Sequence, residues 1–325
     1  MKNIVIYVPE NSVIQAIADP QYCFEAVNQF LSTSGRKPLF NVELVGLKKE
    51  IFINEGKYSV HTDKLLKNVK TNDLLIIPAL FGNMQQAINS NRKAISWIVE
   101  HYHKGSEVAS LCVGAFLLAS TGLLNGKKCS THWGFQNEFR EMFPDVELQD
   151  GSIVTEEDRI YSSGGANSYW NLLLYLVEKY TDRETAIITS KYFAIDIDRK
   201  SQSAFSMFQG QKNHTDNAIK MAQEYIEKNS SERFTVEDLS AIVSLGKRSL
   251  ERRFKLATNN TVLEYMQRVK IEFAKRSFEN SRKNSNEIMF DVGFTDTKAF
   301  RSTFKKITGL TPTEYRNKYN KMVKS

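Results

Sequence analysis

A short helix, a tight turn and a basic helix occur twice in the last third of this 325-residue chain, and few folds accommodate such a pair. In the first copy Thr235 stands as an N-cap. Glu237 and Asp238 follow in the first turn, where the helix dipole favours negative charge. Leu239, Ile242 and Val243 predict an apolar face with i, i+3, i+4 spacing. After a break at 244–246, a helix over 247–257 sets Leu250 and Phe254 four apart, facing the first helix. Lys247, Arg248, Glu251, Arg252 and Lys255 are left on its outer surface. The second copy has a short helix over 286–292, then Gly293, suited to the positive φ of a helix C-cap. A basic helix over 298–307 follows. Phe300 and Phe304 repeat the anchor spacing, and Lys298, Arg301, Lys305 and Lys306 point elsewhere. Between the copies, a helix over 262–278 is long enough, at about 1.5 Å per residue, to separate two recognition helices by roughly one DNA turn. A basic helix held by a short turn can enter a major groove.

The charge distribution points the same way. From Ala218 to Ser325 there are 22 Lys and Arg against 13 Asp and Glu, whereas the remainder holds 22 basic and 24 acidic residues. The positive excess therefore sits entirely in the helical third. Such a surface attracts polyanions, because phosphate contacts release condensed counterions. Charge alone leaves a solvated basic domain with no partner equally open.

The first 180 residues read differently. Apolar runs over 4–8, 73–78 and 107–111, and an alternating strand pattern over 41–47, are interleaved with helical spacing over 21–34 and 91–102. Continuously apolar strands between helices predict a doubly wound α/β domain with a mostly parallel sheet. Strands near 128–130, 152–155 and 160–162 are expected to complete it, followed by a helix over 168–180. We assign 1–182 to this domain, 183–216 to a helical connection and linker, and 217–325 to an all-α domain. No run of 18 apolar residues exists, so no membrane span is expected. Three widely spaced cysteines, Cys23, Cys112 and Cys129, argue against a disulfide framework and for a reducing, cytoplasmic compartment.

Over residues 217–319 the chain resembles the AraC/XylS family of transcriptional regulators. The resemblance rests on Leu250-x-x-x-Phe254-Lys255, the run Tyr265 to Ala274, and Gly293-Phe294. It ends on Phe300-x-x-x-Phe304-Lys305-Lys306-x-x-Gly309-x-x-Pro312-x-x-Tyr315-Arg316. It implies two recognition helices meeting successive major-groove segments of operator DNA, with RNA polymerase as a further partner class. By position, Arg248, Glu251 and Arg252 face bases from the first helix, with Lys247 on the same surface. Thr297, Lys298 and Arg301 face bases from the second. Arginine can read guanine in bidentate fashion, and glutamate can accept from cytosine. Ser302 departs from the pattern, since an arginine is common there.

In the first domain, a strand over 107–111 runs straight into a helix with Cys112 at the junction and Gly114 two residues on. This predicts a tight elbow near the positive end of a helix dipole, and both features favour thiolate. Ser130-Thr131-His132-Trp133 follows about twenty residues later, and cysteine with histidine is the minimum for nucleophilic catalysis. The stretch resembles the ThiJ/PfpI branch of the class I glutamine-amidotransferase-like superfamily. The likeness extends to Gly122-Leu123-Leu124-x-Gly126, Thr131-His132-Trp133 and Ser163-Gly164. Together the two halves resemble GlxA-type regulators, which implies a flavodoxin-like domain that binds a small-molecule effector and helps form a homodimer.

Enzymatic relatives supply a glutamate after the first strand. Here only Glu10 is available, too early in the chain, and Trp170 stands where many regulators carry an acid. Cys112, His132, Trp133 and Asn167 are therefore candidates for an effector pocket, and no catalytic set or cofactor is expected. Cys129-x-x-His132 has metal-like spacing but lacks a second ligand pair, so no metal is expected either. His101 and His103, at a helix end, diverge and are expected at the surface. Two alternatives stay open: a cysteine amidase or hydrolase using Cys112 and His132, and a nonspecific nucleic-acid binder.

Overall fold

A computed structural model of the chain describes residues 1–197, 199 and 201–320. Contacts divide it into two units, Met1–Gln202 and Ser203–Ser325.

The strands of the first unit are β1 (Lys2–Tyr7), β2 (Phe40–Gly46), β3 (Glu50–Ile53), β4 (Tyr58–His61), β5 (Lys64–Leu65) and β6 (Leu74–Ile77). They continue with β7 (Glu107–Ser110), β8 (Lys128–Cys129), β9 (Glu147–Leu148), β10 (Val154–Glu157) and β11 (Ile160–Ser163). Its helices are α1 (Gln15–Thr33), α2 (Met84–Ser90), α3 (Arg92–His103), α4 (Ala115–Ala119), α5 (Gln136–Met142), α6 (Tyr169–Tyr180) and α7 (Arg183–Tyr192). Seven strands form one sheet in the order β10-β11-β7-β6-β1-β2-β5. All neighbours are parallel except β10, which runs antiparallel to β11. Ile4, Val5 and Ile6 at the centre lie opposite Leu74, Leu75 and Ile76, all of them buried. The order grows outward in both directions from β1 and β6. Right-handed crossovers then put α1 on one face and α2 with α3 on the other. Helices α6 and α7 return to pack against α1.

Four points differ from the sequence-based expectations. Residues 128–130 do not complete the main sheet. β8 pairs only with β9 in a two-stranded ribbon, because the Ser130 N–H is taken by Ser162 Oγ at 2.8 Å. The hairpin β3–β4 has no counterpart in the sequence reading. His101 is buried at 1% exposure, with its Nδ1 hydrogen-bonded to Asn72 Oδ1 at 2.5 Å and its ring tilted against Trp97. His103 is exposed. The helix expected within the connection, α7, packs on α1 and α6 inside the first unit.

The second unit holds α8 (Asn217–Lys228), α9 (Val236–Ile242), α10 (Lys247–Thr258), α11 (Val262–Asn280), α12 (Ser285–Asp291), α13 (Thr297–Thr308) and α14 (Pro312–Tyr319). Two separate cores are strung on α11. Val262, Tyr265, Met266 and Val269 enter one with Leu239, Leu250 and Phe254, whereas Ile271, Ala274 and Phe278 enter the other with Ile288, Phe300 and Phe304. Ile242, expected on the buried face of α9, is 42% exposed. It is the last residue of its helix, and Val243 beyond it turns inward instead.

The duplication is far closer in space than the sequence indicated. Capping boxes open α9 (Thr235 with Asp238) and α12 (Asn284 with Glu287), and again α11 (Thr261 with Glu264) and α14 (Thr311 with Glu314). Thr258 Oγ1 donates to Phe254 O at 2.8 Å, and fifty residues on Thr308 Oγ1 donates to Phe304 O at the same distance. Tyr265 donates to Glu227 at 2.7 Å, and Tyr315 to Glu279 at 2.5 Å. No helix among the described residues is long and apolar enough to cross a membrane.

Candidate functional site

Each basic helix stands on its neighbour through the turn that precedes it. After α9 the chain reverses through Ser244, at φ 53°, and after α12 through Gly293, at φ 73°. Both turns close with the same pair of backbone bonds: Ser244 N to Ala241 O and Leu245 N to Ser240 O in one, Gly293 N to Phe290 O and Phe294 N to Met289 O in the other. These are left-handed C-caps. They aim α10 and α13 so that Leu250 with Phe254, and Phe300 with Phe304, turn inward and are at most 1% exposed.

The opposite faces carry the expected residues. Lys247, Arg248, Glu251 and Arg252 are all exposed on α10, and Thr297, Lys298 and Arg301 on α13. Lys247 is ion-paired with Glu237 of α9, which holds the Glu237 carboxyl below its usual range and the lysine above its own. On the second helix Thr297, Lys298, Arg301, Ser302 and Lys305 line a shallow, open concavity with Thr311. Ser302 donates to Ala299 O at 3.0 Å and so reinforces its own helix. Arg253 is turned the other way. It makes a bidentate pair with Asp216, at 2.8 and 2.6 Å, and that carboxylate also caps α8. Nothing local in the sequence marks this clamp.

In the first unit the elbow is present. Cys112, at φ 55°, opens the 3₁₀ turn that leads from β7 into α4. A Cβ at position 114 would stand 2.5 Å from Pro78 O, which is why only glycine fits two residues after the cysteine. The expected thiolate is not what this geometry favours. Cys112 is only 6% exposed, and burial pushes its pKa up to about 12, outweighing the bond from the Val113 backbone. Its N–H donates to Ser163 Oγ, and its carbonyl accepts from Thr131 Oγ1, both at 3.2 Å.

Among the described residues no hydrogen bond joins Cys112 to His132. The His132 Nδ1 instead accepts from Gly134 N at 3.0 Å, leaving the neutral ring's proton on Nε2. Burial lowers its pKa, and the ring lies against Trp133 and Phe135. Asn167 is exposed, with its carbonyl accepting from Trp170 N. Glu10 is turned to Lys48, at 2.6 Å. The acid near position 170 is supplied from α1: Asp19 Oδ2 accepts from Tyr169 Oη at 2.6 Å and from Trp170 Nε1 at 3.1 Å. Asp19 was invisible to the sequence reading because its partners lie 150 positions away. Cys129 is buried, its thiol donating to Ser130 O at 3.4 Å. Among the described residues no group of three or more His, Cys, Asp or Glu could hold a metal ion.

Comparison with known proteins agrees with both halves. Residues 239–318 match the model of a helix-turn-helix domain, and residues 31–179 match the DJ-1/PfpI family. The HTH-type transcriptional regulator ArgR of Pseudomonas aeruginosa is 26% identical over 66% of this chain, and the match spans 65% of ArgR, just under two thirds of its length. The HTH-type transcriptional regulator GbdR of the same species is 22% identical over 82% of this chain and 72% of its own. In fold, the chain is similar to a ThiJ/PfpI family protein from Pseudomonas syringae (TM-score 0.51, 13% identity, 82% of this chain and 88% of that one). The class is thus an α/β domain similar to the DJ-1/PfpI family, followed by a helical unit with two helix-turn-helix motifs. In family terms the chain is similar to HTH-type regulators over its helical part and to DJ-1/PfpI proteins over its α/β part.

Proposed function

We propose that this chain is a sequence-specific DNA-binding transcriptional regulator whose α/β unit binds a small-molecule effector. The observation that carries the reading is the duplicated unit itself. Two exposed polar helices, each rich in Lys and Arg, are presented by matching caps on two cores that share α11. Arg248, Glu251 and Arg252 on α10, with Thr297, Lys298 and Arg301 on α13, are assigned to base edges, and Lys247 to the same DNA-facing surface. We assign the effector site to Cys112, His132, Trp133 and Asn167. The protein acts in the cytoplasm as a homodimer, and effector binding shifts affinity for the operator, where RNA polymerase is recruited or blocked.

The amidase alternative is disfavoured by the buried, protonated thiol and by a histidine whose Nδ1 is already engaged. A nonspecific binder would not need two matched helices. The test is selection of duplexes from a random library by the full chain, followed by titration of the selected DNA. Arg252→Ala with Arg301→Ala should weaken binding at least tenfold, at about 1–3 kcal/mol per base contact. Selection that enriches no sequence, from protein whose circular dichroism shows it folded, sinks the proposal.

A further inference from the structure

One buried polar side chain has no place in the reading above. Gln202, the last residue of the first unit, is 1% exposed. Its backbone N–H donates to Gly151 O at 2.8 Å, beside a bridge between Ser201 and Ser152. Its carboxamide is read on every side. Oε1 accepts from Trp133 N at 3.2 Å, while Nε2 donates to Thr131 O at 2.9 Å and to Ser152 O at 3.1 Å. A Cβ at position 164 would fall 2.8 Å from its Cδ and closer still to Nε2, so Gly164 is the floor that lets the amide enter.

This receptacle shares its walls with the elbow. Thr131 also bonds the Cys112 carbonyl, and Ser163, next to Gly164, receives the Cys112 N–H. Its polarity selects a ligand class. One N–H donor beside two carbonyl acceptors fits a primary carboxamide. A carboxylate would face two carbonyl oxygens, and an ammonium or guanidinium would leave the Trp133 N–H unpaired.

We propose that this is a carboxamide-binding site, filled in cis by Gln202, and that a small primary carboxamide entering it displaces Gln202 and releases the segment that follows. That segment begins at once. Ser203 is the first residue of the second unit, whose Ala204 O accepts from Tyr319 Oη at 3.0 Å and whose Ser206 O accepts from the buried Lys275 Nζ at 2.6 Å. Phe208 N donates to Glu272 at 3.1 Å. The arm is therefore fixed to α11 and α14, and covalent continuity alone makes Gln202 the point where an event at the elbow reaches it. The proposal deepens the sensor role given to the α/β unit and rests on that reading.

The experiment uses the full chain, with Gln202→Ala to empty the site and acetamide to replace the lost group. N,N-dimethylacetamide, which has no N–H, and acetate serve as controls. In Gln202→Ala, hydrogen exchange over 201–208 should rise at least threefold, and the tryptophan-monitored melting point should fall. Acetamide should reverse at least half of both changes and saturate, because a ligand that binds only the folded site stabilises it. The controls should do neither. Wild type should need a far higher acetamide concentration, since the tethered amide competes at high effective concentration.

Equal effects of the three probes, or wild-type exchange in the alanine variant, overturn the proposal. Should Gln202→Ala fail to fold, Gln202→Glu keeps the size and removes the two donors. It should raise exchange over 201–208, and unchanged exchange there refutes the site. Titration of the same samples with selected DNA reports the regulator reading separately. A chain that answers acetamide but selects no DNA refutes that reading and not this one.

Discussion

Gly293→Ala should destabilise the second unit, whereas Ser244→Gly at the equivalent turn should stabilise it. Both positions are left-handed, at φ 73° and 53°. A non-glycine residue costs about 1–2 kcal/mol in that conformation. Ser244 already bears that cost. Replacing it with glycine relieves the strain and returns about 0.4–1 kcal/mol to the unfolded chain as entropy, a net gain of about 0.5–1 kcal/mol. At 293 the strain is only part of the loss. A new Cβ would lie 2.8 Å from the backbone Ser231 O and 2.6 Å from Lys270 Nζ. The ammonium cannot swing aside freely, because it donates to Ser230 O, Glu232 O and Val292 O at 2.9, 3.0 and 2.9 Å.

Adding overpacking of about 1–3 kcal/mol gives a net loss of about 2–4 kcal/mol for Gly293→Ala. The composition supplies the assay. Trp97, Trp133 and Trp170 all lie in the first unit. Tryptophan fluorescence in urea therefore follows that unit alone, and far-ultraviolet circular dichroism adds the all-helical second. The circular-dichroism transition should move down for Gly293→Ala and up for Ser244→Gly, with the fluorescence transition fixed. If both substitutions shift stability in the same direction, or Gly293→Ala stays within about 0.5 kcal/mol of wild type, the account of the two turns is wrong.

Two further outcomes are expected. With its pKa pushed up to about 12, Cys112 should react with a neutral alkylating reagent at pH 7.5 roughly a hundredfold more slowly than a free cysteine, and labelling as fast as a free thiol would contradict its burial. Burial also lowers the pKa of His101 and His132, so below the ordinary value of about 6.5 the unfolded chain takes up protons that the folded unit does not. Stability of the first unit should be complete above that value and decline as pH falls towards the folded-state values. His101→Asn should flatten the fluorescence-monitored profile, and a profile rising towards acid would refute the assignment.

What the sequence disclosed follows from the range of the forces involved. Leu74–Ile77 and the α10 and α13 anchors are local patterns, and each appears in the structure where its spacing placed it. The hairpin β3–β4 was legible in principle: Glu50–Ile53 alternates in burial, and Asn54, Glu55 and Gly56 all adopt positive φ between the strands. The misreading of Ile242 arose where a helix ends, since face periodicity does not announce its last turn. His101 owes its burial to Asn72, Asp19 its role to Tyr169 and Trp170, and Gln202 its role to Thr131, Trp133 and Ser152. Such long-range polar pairings leave no local period to detect. The thiolate expectation failed differently: the elbow was read correctly, but desolvation outweighs the dipole.

Because α11 threads both cores within its 19 residues, it behaves as a graduated rod between the two helical cores. One residue inserted at its middle would twist the far core by about 100° and advance it by about 1.5 Å, whereas seven would bring it back nearly in phase and about 10 Å further along. On the proposed function, operators for such rods would differ in the gap between their two half-sites while keeping each half-site's bases.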